Sequence, residues 1–309
     1  MDSIVSVIMQ AGRTGIELAL YVLLPIMVVM LALMKLLEAR GVLAWVANAL
    51  APVLRIFGLP GLGIFAMVKL LLVSFSAPVA TLALMDRNGT SSRHIAATLA
   101  MVLTMSQANV VFPMLSVGLN LPVIMATSVI GGLFAASVTY YLLARASASE
   151  PAVEVPVIVP GERRGTMEIL AEGGQEGMKI ALASLPILIL ALCFVYTLEA
   201  SGAITLISAV LAPLLALLGL PEAAVLPIVT KFIAGGTAFM GVVLDLMNQG
   251  LISAADLNRM AGFVTNPLDL AGVAIMAAAG KRVGRVARAA VWGALAGMLL
   301  RGVLHLLIF

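Results

Sequence analysis

Residues 58–73, GLPGLGIFAMVKLLLV, and residues 219–234, GLPEAAVLPIVTKFIA, share one signature: a Gly-Leu-Pro turn, then an apolar run holding a single lysine. Working outward from this pair, the likeness continues at one constant spacing. Leu24-Pro25 recurs as Leu185-Pro186, Leu37-Glu38-Ala39 with Gly41 as Leu198-Glu199-Ala200 with Gly202, and Ala51-Pro52 as Ala212-Pro213. After a one-residue slip, Lys69 falls on Lys231 and Leu84-Met85 on Leu246-Met247. Chance matches of leucine are cheap, but aligned Pro, Glu, Gly and Lys landmarks mark an internal duplication.

The composition says what kind of chain was duplicated. Apolar residues make up 62% and charged residues 11%, far from the balance of a soluble domain. A membrane span needs roughly 20 apolar residues. Five apolar segments recur per half: 16–37, 41–57, 62–85, 95–117 and 121–143, then 178–198, 203–218, 223–247, 257–279 and 289–309. Between them, 147–174 is too polar and too broken by proline to span. The expected organisation is a first repeat over 1–146, a cytoplasmic linker over 147–174 and a second repeat over 175–309. Met1–Gln10 lacks the basic region of a cleaved signal peptide and is expected to stay in the mature chain.

Basic residues orient the segments. If all five cross, Lys35, Arg40, Arg87, Arg93, Arg145, Arg163, Arg164, Lys179, Lys281, Arg282, Arg285 and Arg288 share one side, against Arg13, Arg55 and Arg259 on the other. If the short second segments stay out, the division is nearly even. The expected fold is therefore an all-α polytopic membrane protein of two inverted five-segment repeats, about ten crossings, with broken helices at the midplane and both termini outside. The basic balance orients the chain, and no nucleic-acid partner is expected.

Inverted repeats with interrupted helices are a recurring plan of secondary transporters. Lys69 and Lys231 lie about nine residues into their segments, roughly 13 Å along a helix rising 1.5 Å per residue. An intramembrane cation faces a cavity or a partner, so the pair is expected either to bind an anionic group or, equally, to snorkel to the interface or pair with a carboxylate. The runs after them, Ser74-Phe75-Ser76-Ala77-Pro78 and Ala234-Gly235-Gly236-Thr237, read as helix breaks. Free backbone groups there serve binding where they line a cavity, and small residues equally serve close packing. The fourth segments add Thr104, Ser106, Gln107 and Asn109 in the first half and Thr265, Asn266 and Asp269 in the second. These supply donors and acceptors for hydroxyls, base edges or carboxylates.

The expected solute contacts are Lys69, Ser74, Ser76, Gln107, Asn109, Lys231, Thr237, Thr265 and Asn266. Asp245 and Asp269 are the candidates for coupling to a proton or a sodium ion, although Asp245 equally serves to neutralise a lysine. Glu38 and Glu199 lie at segment ends, and Arg301 sits inside the last apolar segment without an assigned role. The single cysteine, Cys193, excludes an internal disulfide and a multi-thiolate metal site; His94 and His305 are distant in sequence. No metal, cofactor or enzymatic activity is expected, and no G-x-x-x-x-G-K-[ST] loop offers direct ATP drive.

With their Leu-Pro, Leu-Glu-Ala, Gly-Leu-Pro and Lys landmarks and small-residue breaks, the two halves resemble the nucleoside-recognition or Gate-domain membrane proteins. That group includes the bacterial spore maturation proteins A and B and segments of concentrative nucleoside transporters and ferrous-iron transporters. The resemblance implies a broken-helix membrane core in a bacterial inner membrane that recognises a small polar solute, with nucleosides named by the family and an anion favoured by the lysines. The expected function is secondary transport, and the alternative is a non-transporting membrane scaffold or partner subunit. The expected partners are the solute, a coupling ion, the bilayer and a further copy of the chain.

Overall fold

A computed structural model describes residues 2–74, 77–145 and 165–309, and every element among them is helical. The first half runs α1 (Asp2–Glu17), α2 (Leu24–Ala39), α3 (Val42–Leu54), α4 (Gly61–Leu72), α5 (Ala77–Arg87), α6 (Ser92–Thr104), α7 (Ala108–Met114) and α8 (Leu121–Val138). The second runs α9 (Thr166–Ala200), α10 (Ala203–Leu217), α11 (Val225–Ala234), α12 (Gly236–Asn248), α13 (Ala254–Val264), α14 (Leu270–Ala277) and α15 (Lys281–Ile308). From α2 and α9 onward the two halves match element for element. Between α1 and α2 the helix widens over Leu18–Leu23, just before Pro25, whose missing N–H and bulky ring disturb the preceding turn. Most of the expected linker lies outside the described residues, and its last residues, from Thr166, are already the start of α9.

The repeated Gly-Leu-Pro has a geometric reason. Gly58 and Gly219 adopt φ of 77° and 65°, ending one helix in a left-handed turn, and Pro60 and Pro221 then sit extended at the entrance to the next. The turn is sharp: α3 and α4 meet at 113°, α10 and α11 at 112°. Here the structure departs from the count of about ten crossings. Among the described residues, five helices are long and apolar enough to span, or up to seven if each bent pair counts as one. The second segments of the halves form α3 and α10, whose 13 and 15 residues extend only about 20–23 Å against a core of roughly 30 Å. The third segments fold as α4–α5 and α11–α12, and the fourth as the broken pairs α6–α7 and α13–α14.

Contacts sort the loops into two ends. At one, Lys35 pairs with Glu172 at 3.4 Å, Arg40 donates to Thr166 at 2.6 Å, and Arg93 Nε donates to the Tyr140 carbonyl at 2.6 Å. Tyr141 reaches the Ile56 carbonyl there at 2.6 Å. The entrance to α4 and the exit from α5 therefore share that end, which makes α4–α5 a hairpin. At the other end, Asn258 Oδ1 accepts from Asn120 N at 2.8 Å, and Arg259 donates to the carbonyls of Leu218 at 2.9 Å and Phe309 at 3.2 Å. This places the entrance to α11 beside the loop that leaves α12, making the second hairpin.

Large apolar side chains, among them Val29, Leu190, Leu299 and Leu307, face outward from the long helices, as lipid requires of a multi-pass membrane protein. From Ile95 to Met114 the α6–α7 stretch is instead wholly enclosed. That enclosure is what allows it to break, because free backbone groups at membrane depth survive only inside protein. Helix α15 lies along α6, α8 and α13, brought close by small residues. A Cβ on Gly297 would stand 2.6 Å from the Gly131 carbonyl and 2.7 Å from the Ala135 Cβ. Gly297→Leu is therefore expected to part α8 from α15, at about 1–3 kcal/mol, read as a lower unfolding temperature in detergent.

Candidate functional site

Two helix breaks meet at the centre of the protein. In the first, α6 ends at Thr104 and Met105 turns extended, so that Ser106 and Gln107 lie outside any helix before α7 begins. In the second, Thr265 closes α13 and Pro267 keeps Asn266 and its neighbours from continuing the helix. The breaks are paired like short strands: Gln107 N donates to the Thr265 carbonyl at 3.0 Å, and Gln107 Nε2 to the Asn266 carbonyl at 3.2 Å. Ser106 and Thr265 share a hydroxyl contact of 2.7 Å, and Ser128 Oγ donates to Ser106 Oγ at 2.8 Å. Asn266 is used locally, accepting from Leu268 N at 3.0 Å and donating to the Phe263 carbonyl at 2.9 Å.

The tip of the α11–α12 hairpin covers these breaks. Gly235 adopts φ 89° and ψ −179°, a region open in practice only to glycine. This lets α11 end and α12 begin within one residue. An added Cβ on Gly236 would meet Val110 Cγ2 at 2.8 Å and crowd the Gln107 amide still more closely, so the hairpin backbone rests directly on the first break. Gly235→Ala is expected to destabilise the tip by about 1–3 kcal/mol, measurable as faster backbone hydrogen exchange over 231–240 with the rest of the protein unchanged.

Between tip and breaks lies a cavity of about 140 Å³, lined by Gln107, Asn109, Ile187, the tip 234–237, Pro267, Asp269, Ala271, Gly272 and Ile275. Asp269 has three tasks. Its side chain lines the cavity, caps α14 by accepting from Gly272 N at 2.7 Å, and forms an ion pair with Lys231. The pair is almost wholly buried, with side-chain exposures of 0% for Lys231 and 5% for Asp269. Neither charge is stable alone at that depth, so the pair ties α11 to α14. A larger groove of about 630 Å³ beside it, bounded by Phe232, Leu270, Val273 and Leu295, is nearly all apolar and suits hydrocarbon.

Of the expected solute contacts, Gln107, Asn109 and Thr237 line the cavity with Asp269, and Lys231 stands behind Asp269. Thr265 and Asn266 hold the breaks together from beneath. Lys69 belongs to the other hairpin, where it pairs with Glu38 at 2.7 Å and lies 4.8 Å from the Phe65 ring centre. Ser74 is buried at the end of α4, and Ser76 lies outside the described residues. Asp245 is bonded by Tyr196 at 2.9 Å and Gln249 at 3.0 Å, ten residues along α12 from Gly235, which is about 15 Å of helix. Sequence reasoning gave no task to Arg301. It is fully buried and donates to the Thr104 carbonyl, to Ser106 Oγ at 2.6 Å and to Thr265 Oγ1 at 3.1 Å, so it holds both breaks at once.

Comparison with known proteins fits this geometry. Residues 20–139 match the Gate family, described as "Nucleoside recognition". Spore maturation protein B of Bacillus subtilis (strain 168) is 32% identical over 100 residues, which is 30% of this chain and 56% of the relative, so the match spans about half of that protein's length. The fold is that of CNTnw, a concentrative nucleoside transporter. Its inward-facing, substrate-bound structure superposes with a TM-score of 0.71 at 17% identity, covering 99% of this chain and 84% of that one. A variant of the same protein in an outward-facing state gives 0.70 at 15% identity, with the same coverage.

Proposed function

From a nucleoside-recognition segment in the first half and a fold shared with CNTnw, we propose that this chain is a secondary transporter of a small polar solute, nucleoside-like or anionic. The observation that carries the reading is the cavity where two helix breaks meet a hairpin tip, lined by Gln107, Asn109, Thr237 and Asp269. Broken helices leave amides and carbonyls unpaired, and the hairpin offers a wall able to withdraw. At about 140 Å³ the cavity is smaller than the roughly 300–1,000 Å³ of typical small-molecule sites, as befits a closed state that opens by moving the hairpin.

The halves are related by inversion. Each crosses the membrane three times, by its first long helix, its broken helix and its last long helix, while each hairpin enters and leaves at one end. An odd number of crossings inverts the second half, as five would have done. It also moves Arg55 to the basic side, leaving Arg13 and Arg259 opposite, so the positive-inside rule puts the linker in the cytoplasm and both termini outside a bacterial inner membrane. The α4–α5 hairpin, with Lys69 and Ser74, is the inverted counterpart of α11–α12. Asp269 is the coupling carboxylate nearest the solute, with Asp245 a second at the outer end of α12.

The test is uptake by purified protein in liposomes, with nucleosides, nucleobases and small organic anions under proton and sodium gradients. Gradient-dependent accumulation of one class is expected. Gln107→Ala and Asn109→Ala should each raise the half-saturating concentration about three- to tenfold, the value of one hydrogen bond. The sequence likeness to spore maturation protein B, over 30% of the chain, is the observation behind the second reading, a non-transporting membrane scaffold or partner subunit. Folded protein that moves no member of the panel would decide for it.

A further inference from the structure

Arg301 is a buried cation with no carboxylate. Its exposure is 0%, and no acidic side chain among the described residues compensates it. What faces it is a set of neutral oxygens: the Thr104 carbonyl, Ser106 Oγ at 2.6 Å and Thr265 Oγ1 at 3.1 Å, with Ser128 Oγ behind Ser106 at 2.8 Å. Two of these contacts lie at the C-terminal ends of α6 and α13, each carrying about half a negative charge from its aligned peptide dipoles. The two ends together balance one positive charge. The protein also makes room for the stem. A Cβ on Gly131 would stand 2.6 Å from Arg301 Cδ, while Gly262 lets the α15 backbone close on α13, a Cβ there standing 2.6 Å from the Arg301 carbonyl oxygen.

Carbonyl and hydroxyl oxygens converging in a protected site are the ligand set of a hard cation. A free backbone carbonyl at a helix break is the kind of group that binds sodium in transporters built on broken helices. We infer that Arg301 is a tethered cation filling a cation site at the junction of the two breaks, so that the junction is assembled without sodium or potassium. The inference rests on the reading of these breaks as the solute site, and is independent of which solute is carried. Sodium has no vacancy at this junction, so coupling acts on charged groups elsewhere, the Lys231–Asp269 pair nearest to it.

Thermal unfolding of the full chain in detergent tests this without any solute. Wild type is expected to unfold at one temperature in sodium, potassium and choline chloride of equal ionic strength. Arg301→Ala should unfold about 5–10 °C lower in choline. Millimolar guanidinium, far below denaturing levels, should return most of that loss, and sodium part of it. Gly177→Leu, destabilised only where α9 packs on Met27 and Val28 of α2, should gain nothing from either ion. Arg301→Lys should keep the indifference to sodium. A sodium stabilisation of the wild type that persists with Asp245→Asn and Asp269→Asn would overturn the inference, as would an Arg301→Ala protein that neither guanidinium nor sodium restores. Should Arg301→Ala fail to fold, the wild-type and Arg301→Lys titrations still decide. Lack of uptake in liposomes together with guanidinium rescue would sink the transport reading and leave the tethered cation standing.

Discussion

Lys231→Met lowers stability by about 3–5 kcal/mol, while Lys231→Met with Asp269→Asn lowers it by much less. The asymmetry follows from burial: with exposures of 0% and 5%, removing one partner leaves an almost fully buried ionised group without its counter-charge, whereas removing both charges leaves neutral side chains of similar volume. Asp269→Asn alone should fall between, because an asparagine oxygen still accepts the Gly272 amide that Asp269 now binds at 2.7 Å. A double-mutant cycle by denaturant unfolding in mixed micelles measures the coupling. Equal losses for Lys231→Met and the double variant would show that the pair is not a paired buried charge. The double variant also separates stability from function: folded, yet without a charged element beside the cavity, it is expected to bind solute and to lose gradient-driven accumulation.

Gly236→Leu should bring uptake to background with only about 1–3 kcal/mol of stability lost. The hairpin rests on the first break because residue 236 has no side chain, and a leucine there enters the space between Val110, Gln107 and the cavity. The lost function then reflects a filled and propped-open site rather than an unfolded one, which a single symmetric elution peak and an intact helical circular dichroism spectrum would establish. Wild-type uptake by Gly236→Leu would remove the hairpin tip from the solute path.

Much of this arrangement is legible in the sequence, and the parts that are not have a physical reason. The duplication, the polar clusters and the breaks stand out because Pro, Gly and buried polar residues are conspicuous against an apolar background. Gln107, Asn109, Thr237 and Asp269 were found that way and line one cavity. The bends after α3 and α10 were not, since hydropathy measures how apolar a stretch is and carries no information about its direction. Arg301 had no visible role because its partners Thr104 and Ser106 lie nearly two hundred residues away, and all of them are neutral oxygens that no charge pattern reveals. Asp245 looked equivalent to Asp269 as an intramembrane carboxylate, yet position along α12 separates it from the cavity.

Alternating access is the central claim, and thiol labelling tests it most directly. Cys193 is the single cysteine, so Thr237→Cys in a Cys193→Ala background places one reporter at the hairpin tip. Oriented membrane vesicles would be treated with a membrane-impermeant thiol reagent from one face and then, in a separate sample, from the other. Modification from either face, slowed by the transported solute, is the predicted result. Modification from one face alone, at any exposure time, would contradict the account.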